Sequence, residues 1–445
     1  MNNMVIIFHN GVSSMQIACS LAPPVLVSPP ARRPPQSVQG PIRITVVMTL
    51  LFLLLPTGSG QLRSAEVVPA GEVAFGMSTV LSGSAEKLGQ DMQRGVLVGF
   101  ERANRNGGIN GRKLRLITLD DGYEPARTGP NMRQLMEKDN VLAIIGNVGT
   151  PTAIVAVPLV NEEKTLLFAA YSGAPILRDD PPDRYVINFR AGYAEETTAI
   201  VNALLDDGGL KPQEIAFFTE KDGYGDAGFT LGISAMERHG LINPKSILHV
   251  AYERNTLAVE NAVASLLMAY KPPRAVMMFG AYAPCAKFIK LCRTSDLNPL
   301  FLNVSSVGSG ALADSLGKTD SHLVVTQVVP CPKDDSIAIV REYRADLVAM
   351  YPSASAGHGD LEGYIAARIV TLALTRIQGP PTREELVDAL EGLGRFDLGL
   401  GEPLYFSRTD HQACHRVWPT VLKGNRFEPF EWSDLKTLLP GEQSP

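Results

Sequence analysis

The stretch GQDMQRGVLVGFERANRNGGINGRKLRLITL, residues 89–119, decides the fold. Its apolar residues recur at helical spacing, which predicts an amphipathic helix over residues 89–104. The NGG tripeptide at 106–108 ends that helix with a left-handed cap and a turn. Alternating apolar residues then predict a strand at 113–119, and another strand at 73–78 precedes the helix. The segment is therefore a strand–helix–strand unit of an α/β protein.

The same alternation of strands and helices continues along most of the chain. Residues 141–145 are all apolar, which is typical of a buried parallel strand. The pattern restarts near residues 185–189, and a third segment begins with a strand at 323–329. Without its first 60 residues, the chain has about 385 residues, which is more than a single hydrophobic core usually serves. We therefore predict two doubly wound, Rossmann-like α/β lobes.

A hydrophobic run precedes the α/β region. Ile44–Leu55 is followed by small residues at 56–60 and, at 12 residues, is shorter than the roughly 20 that a membrane span needs. Residues 1–65 are therefore predicted to be a leader that contains a secretory signal peptide. The apolar core lies far from Met1, and this leaves two alternatives open. Either translation starts internally, near Val38, or the leader is unusually long.

Charge and cysteine content narrow the class of function. Removing residues 1–60 takes away three of the 41 basic residues and none of the 46 acidic ones, so the formal net charge moves from −5 to −8. This acidic balance excludes nucleic acid as the expected partner.

The cysteines give little sign of disulfides. Cys285 and Cys292 share one face of a predicted helix and are too far apart to form a disulfide. A disulfide between Cys331 and Cys414 stays open.

Sequence motifs typical of enzymes are absent. The chain contains no G-x-S-x-G, no H-E-x-x-H, no P-loop and no C-x-x-C. His411, Cys414 and His415 form the one cluster of metal-capable side chains. Without a fourth ligand, this cluster is interpreted as a surface turn. We therefore predict that the protein is not an enzyme and has no cofactor and no metal site.

Seven short motifs fall in a recognisable order. They are LSG at 81–83, NRNGGING at 104–111, DD at 120–121, IIG at 144–146, NFRA at 188–191, DGYG at 222–225 and GAY at 280–282. In this order and spacing the chain resembles the type 1 periplasmic binding proteins, specifically the leucine/isoleucine/valine-binding family that feeds ABC importers. No single motif is specific, whereas seven in register over about 200 residues are.

The resemblance implies two lobes, joined by three crossing segments, that close over a small solute like a hinged clamp. Lobe 1 is expected at residues 70–190, lobe 2 at 191–325, a return to lobe 1 at 326–380, and a tail at 381–445 that completes lobe 2. The resemblance also implies a periplasmic protein that delivers its solute to an ABC permease and ATPase complex. We expect a monomer. A ligand-sensing receptor component of the same fold is the alternative.

The expected ligand site lies beyond the carboxyl ends of the strands. In lobe 1, Thr150 opens a helix, and its hydroxyl is expected to hold a carboxylate. Capping that helix is the alternative role. In the next loop, the resemblance implies that Ser172 and the Gly173 backbone bind polar groups while Tyr171 walls the site. An ordinary turn is the alternative for this loop.

In lobe 2, Tyr224 and Tyr282 match aromatic residues of the family and are expected to pack on the solute. Asp222, beside Tyr224, is interpreted as a helix cap. Ser305 stands where amino-acid binders of this family commonly place an acidic residue for the ligand's ammonium. Either another carboxylate, Glu86 or Asp222, replaces that anchor, or the solute is an amide, a urea-like compound or a small carboxylate.

Overall fold

The computed structural model describes residues 71–318 and 322–441. The leader predicted at residues 1–65 lies outside these ranges. Within them, no helix has the length and apolarity to cross a membrane, and no three His, Cys, Asp or Glu side chains lie together as a metal site would require. The cysteines they contain are free thiols, so the disulfide left open between Cys331 and Cys414 is not formed.

Strands and helices alternate along most of the described chain. The strands are β1 (Glu72–Thr79), β2 (Lys113–Asp120), β3 (Ala143–Ile145), β4 (Leu166–Phe168), β5 (Val186–Ile187), β6 (Ile215–Glu220), β7 (Leu248–Tyr252), β8 (Ala275–Phe279), β9 (Leu300–Asn303), β10 (Leu323–Gln327), β11 (Gly394–Phe396), β12 (Leu404–Phe406), β13 (Trp418–Lys423) and β14 (Arg426–Pro429). The helices are α1 (Glu86–Arg105), α2 (Pro125–Arg133), α3 (Thr150–Glu162), α4 (Tyr193–Asn202), α5 (Gly223–Arg238), α6 (Glu260–Leu267), α7 (Tyr282–Thr294), α8 (Ser309–Leu316), α9 (Ala338–Met350), α10 (His358–Leu374) and α11 (Arg383–Glu391).

These strands form two main sheets, one in each lobe. The first sheet is parallel, with the order β2-β1-β3-β4-β5. The second has the order β14-β13-β10-β9-β8-β6-β7, in which β13 and β14 are antiparallel and the others parallel. The predicted fold class, two doubly wound lobes, is confirmed. In sheets of this kind, ligands bind beyond the carboxyl ends of the strands, where the strand order reverses.

Helices α9 and α10 follow β10 of the second sheet in sequence but pack on α1 of the first lobe. Two glycines of α1 allow the helices to approach closely. A Cβ atom at Gly95 would lie 1.9 Å from the main-chain oxygen of Asp360, and one at Gly99 would lie 2.4 Å from the Cβ of Ala367. Larger side chains at either position would push α10 away from α1.

Helix α11 also packs on the first lobe. Arg383 donates hydrogen bonds to three main-chain oxygens of that lobe, those of Met136, Val141 and Glu163. The expectation that all of residues 381–445 complete lobe 2 is therefore wrong, because only β13 and β14 of the tail's strands join the second sheet. The capping box that starts this helix at Thr382 was a visible sequence signal for it.

Candidate functional site

Two hydroxyl groups of the first lobe meet at the start of α3. The Thr150 Oγ1 and Ser172 Oγ atoms lie 2.8 Å apart, and both side chains are buried. The residue that caps α3 is Gly149, and no side chain makes a capping hydrogen bond there. The alternative in which Thr150 serves as the helix cap is therefore wrong. Its hydroxyl points instead to Ser172 and the neighbouring cleft.

Tyr193 extends this group of hydroxyls to the second lobe. Its phenol oxygen lies 3.4 Å from both Thr150 Oγ1 and Ser172 Oγ, and it donates to Ser306 Oγ at 3.0 Å. Gly173 makes room for this tyrosine, because a Cβ at Gly173 would lie 2.4 Å from the Tyr193 ring. The Gly173 carbonyl accepts the Tyr193 N–H at 2.7 Å. That carbonyl is therefore occupied by the protein itself.

Tyr171 makes a second link between the lobes. Its hydroxyl donates to the main-chain oxygen of Ser305 at 3.2 Å. The guanidinium carbon of Arg190 lies 5.2 Å from the centre of the Tyr171 ring, a cation–π distance. Tyr171 therefore forms part of the cleft wall and also connects the wall to the opposite lobe.

Ser305 lies inside a fully buried ionic cluster. Its N–H and Oγ donate to the Glu196 carboxylate at 2.8 and 2.9 Å, and Arg190 donates to its Oγ. Arg190 also pairs with Glu196 at 3.4 Å and with Glu362 at 3.1 Å. Burial raises the pKa of Glu196 and raises that of Glu362 to about 7, while Arg190 opposes both shifts. A carboxylate does stand beside Ser305, but it is already paired.

Tyr224 packs against Tyr193 at the centre of the cleft. The two ring centres are 5.3 Å apart, and the Tyr224 hydroxyl has no hydrogen-bond partner among the described residues. Asp222 caps α5, because its Oδ1 accepts the N–H groups of Tyr224 and Gly225 at 2.8 and 3.2 Å. The capping role predicted for Asp222 is confirmed.

Tyr282 lies to one side of this group. It begins α7, and its hydroxyl accepts a long hydrogen bond, 3.5 Å, from the Lys87 N–H of α1. The structure therefore brings Thr150, Tyr171, Ser172 and Tyr224 to one cleft. It leaves Tyr282 outside the central cavity, at a contact between α1 and α7.

The cavity enclosed between the lobes is small. Its volume is about 10 Å³, room for a single water molecule. Its walls include Tyr123, Gly149, Tyr171, Tyr193, Tyr224 and Ser306. Ligand pockets for small molecules are far larger. A solute of amino-acid size therefore enters only if the lobes separate or the tyrosine rings turn aside.

Two loops, one from each lobe, contact each other beside the cleft. Arg254 donates to the main-chain oxygen of Tyr123 at 3.0 Å and pairs with Glu124 at 3.0 Å. The Asn255 amide donates to the Gly122 carbonyl at 3.2 Å and to Glu124 at 2.5 Å. These contacts join the two lobes, and together with the small cavity they describe a closed conformation.

A larger recess of about 590 Å³ lies beside the cleft. It is bounded by α1, α8, the start of α10 and the turn between β13 and β14, and its lining is charged, including Asp91, Arg94, Lys333 and Arg426. None of the predicted ligand-binding residues lines it. We therefore take the smaller cavity between the lobes as the candidate site, because it lies at the strand ends that the sequence pattern indicated. The larger volume of the recess does not by itself identify a ligand site.

Three residues of the cleft were missed by the sequence prediction, namely Tyr123, Tyr193 and Ser306. Tyr123 follows the carboxyl end of β2, and the same signal selected Tyr171 after β4. Tyr193 is separated from its nearest strand by a crossing between the lobes, so no local pattern marked it. Ser306 directly follows a predicted residue, and only its hydrogen bond to Tyr193 distinguishes it.

A closed, tyrosine-lined cleft between two doubly wound lobes defines a solute-binding protein of the two-lobed class. The chain belongs to the periplasmic binding protein family, whose model matches residues 72–426. Its relatives and its fold make it a type 1 member of the leucine/isoleucine/valine-binding family. The family is one of substrate-binding proteins rather than enzymes, and it implies a location outside the cytoplasm.

Three comparisons illustrate this similarity. An amino acid binding protein from Pseudomonas aeruginosa is 24% identical over 278 residues, which are 62% of this chain and 72% of that protein. The Leu/Ile/Val-binding protein of Escherichia coli K12 is 23% identical over 275 residues, 61% of this chain and 72% of that protein. The crystal structure of a possible leucine/isoleucine/valine-binding protein from Rhodopirellula baltica is 46% identical in sequence and has a TM-score of 0.80. The match covers 82% of this chain and 98% of that chain.

Proposed function

We propose that this protein is the extracytoplasmic solute-binding component of an ABC importer. It captures a small polar solute between its lobes and delivers it to a membrane permease with its ATPase. The solute class comprises amino acids, amides, urea-like compounds and small carboxylates. The observation that carries the proposal is the series of hydroxyls that runs from Thr150 and Ser172 through Tyr193 to Ser306.

The chemistry of the cleft suits such a solute. Hydroxyl groups both donate and accept hydrogen bonds, so the lobe-1 pair can bind a carboxylate or an amide. The tyrosine rings supply apolar walls that exclude water and strengthen these hydrogen bonds. Because the groups belong to different lobes, a solute contacts all of them only when the lobes are closed, which couples binding to closure.

A screen of candidate solutes by thermal shift tests this proposal. A solute that binds the folded protein raises the melting temperature, and calorimetry then measures its affinity. We expect solution X-ray scattering to show a smaller radius of gyration with that solute than without it. The control variant is Tyr270→Ala, which changes a side chain that is 97% exposed. It should bind the solute as tightly as the wild type does. A panel covering all four solute classes in which nothing binds would overturn the proposal.

Uptake measurements separate import from sensing. A strain that lacks this protein should lose uptake of the identified solute and regain it with the wild-type chain. Unchanged uptake, together with loss of a cellular response to that solute, would favour the receptor alternative.

Export has its own test. Protein recovered from the periplasm should begin between about Gln61 and Val67, next to the small residues that follow the apolar run. A protein found only in the cytosol would contradict export.

A further inference from the structure

The loops that follow β2 and β7 have an uncommon backbone conformation where they meet. Tyr123 in the first lobe and Asn255 in the second have φ angles of 63° and 58°. Residues other than glycine rarely adopt this left-handed region. Such conformations persist where surrounding contacts hold them, and they concentrate at clamps and switches. Two of them facing each other across the lobes therefore indicate a clamp.

Arg254 and Asn255 make this clamp with residues 122–124. Each of the two side chains contacts both the Glu124 carboxylate and one main-chain oxygen of residues 122–123. An isolated surface ion pair contributes little to stability. These contacts, however, share one carboxylate and one short loop, so separating the lobes breaks all of them together.

Each loop is anchored in its own lobe. The Tyr123 N–H donates to Asp121 Oδ1 at 3.0 Å, and Asp121 Oδ2 accepts the hydroxyl of Ser78 in β1 at 2.8 Å. In the second lobe, the Asn255 N–H donates to Glu220 Oε1 at the end of β6, at 3.3 Å. Movement of one lobe relative to the other is therefore transmitted directly to the contact between the loops.

The topology places this contact far from the segments that join the lobes. The chain passes between the lobes directly after β5, directly after β10 and directly before β13. Four strand spacings, about 20 Å in all, separate β2 from β5 in the first sheet and β7 from β10 in the second. A rotation about the joining segments therefore moves the loops after β2 and β7 farther than it moves loops near those segments.

The contact also holds one wall of the cavity. The Tyr123 ring lines the cavity, and the residue is 5% exposed. The ring packs over Gly149 at the start of α3, where a Cβ atom would lie 2.4 Å from it. Because Arg254 binds the main chain of Tyr123, breaking this bond frees the residue whose ring covers this side of the cavity.

We propose that Arg254 and Asn255 form a latch with residues 122–124 that must break before a solute reaches the cavity. The latch acts in the protein without solute, so this inference goes beyond the proposed function and does not depend on which solute binds. The side chains of Arg254 and Glu124 are 26% and 40% exposed. Water and salt reach this ion pair, so the latch can break without unfolding either lobe.

Nitration of tyrosines by tetranitromethane tests the latch in the solute-free mature protein. The reagent modifies tyrosines that solvent reaches, and peptide mass spectrometry gives the rate at each one. The two cavity tyrosines, Tyr193 and Tyr224, are 1% and 3% exposed and report opening of the cleft. In the same molecules, Tyr270 at 97% exposure reports the strength of the reagent. Tyr343 of α9, at 0% exposure and outside the cavity walls, reports unfolding.

The latch variants are Arg254→Ala and Glu124→Gln. Each should raise the nitration rate of the cavity tyrosines at least about fivefold, because the open state gains population when the latch contacts are lost. The double variant should react little faster than the more reactive single variant, because both changes remove one shared interaction. Asn255→Gly suits the left-handed backbone and removes only the amide, so it should act in the same direction.

Salt tests the latch without any substitution. Raising the salt concentration to about 1 M should speed nitration of the cavity tyrosines in the wild type, because salt screens a partly exposed ion pair. The same salt should have much less effect on Arg254→Ala, which has no such pair to screen.

A matched control removes a cation that does not join the lobes. Lys221→Ala breaks a 2.5 Å ion pair with Glu253 inside the second lobe and should leave the cavity tyrosines protected. Unchanged nitration of these tyrosines in both latch variants would overturn the latch. An equal rise at Tyr343 would also overturn it, because the cause would then be unfolding. Neither result would affect the proposed function, which is tested by solute binding.

Discussion

The phenol of Tyr171 in the first lobe donates a 3.2 Å hydrogen bond to the main-chain oxygen of Ser305 in the second. This bond joins the two walls of the cleft directly. It joins residues that are 134 positions apart and that follow strands of different sheets. The closed state of this protein is therefore stabilised by the protein's own groups as well as by any solute.

Tyr171→Phe removes this bond and should shift the free protein toward the open state. A hydrogen bond of this kind contributes about 1 kcal/mol net, so we expect solute affinity to fall by about that amount while the fold is kept. Calorimetry measures the affinity, and scattering measures the radius of gyration of the free protein. Tyr405→Phe, at a side chain that is 49% exposed, is the control. Equal affinity in both variants would contradict a role for this bond in closure.

The two tyrosines predicted in lobe 2 should differ in their effect on binding. Tyr224→Ala removes a ring that lines the cavity and packs on Tyr193, so we expect a loss of about 1–3 kcal/mol in binding free energy, as for an aromatic anchor. Tyr282→Ala should cost less, because Tyr282 lies outside the cavity. Titration of the identified solute into both variants gives the comparison. A larger loss for Tyr282→Ala would place the solute nearer α7.

Ser305→Glu should destabilise the folded protein. It adds a third carboxylate to a buried cluster in which Arg190 already pairs with Glu196 and Glu362. We expect urea unfolding to show a loss of about 3 kcal/mol or more, the usual cost of an unpaired buried charge. Ser305→Ala, which removes only the hydroxyl, should cost about 1 kcal/mol. Unchanged stability together with tighter binding of leucine would show that this position can still act as the family's ammonium anchor.

The stability of the protein should fall as pH rises toward neutrality because of Glu362. Burial raises the pKa of this carboxyl from 4.5 to about 7, although Arg190 opposes the shift. The folded state therefore favours the protonated form. Its contribution to stability is complete below about pH 4.5 and is lost as pH rises through 7, by up to about 3 kcal/mol.

Urea unfolding at fixed pH values across this window measures the effect. Glu362→Gln mimics the protonated carboxyl and should reduce the slope of unfolding free energy against pH. Parallel curves for the wild type and the variant would contradict the assignment of this pH dependence to Glu362.

Much of the fold followed from local sequence patterns. The helix predicted over residues 89–104 lies within α1, and the alternating residues at 113–119 lie within β2. These patterns succeed because helix and strand periods state directly which face of an element is buried. Asp222 could also be identified as a helix cap from the sequence, because an N-cap contacts N–H groups only two or three residues away.

Only the tertiary structure showed which residues far apart in sequence contact each other. The Arg190–Glu362 pair spans 172 positions, and the packing of α11 on the first lobe reverses the assignment expected for the start of the tail. Tyr193 and Ser306 reach the cleft through a crossing and a loop that carry no periodic signal. The sequence by itself determined the two lobes, the family and the loops at the strand ends. A periodic pattern indicates that a face is buried but not which partner buries it, so the closed cleft emerged only when both lobes were in place.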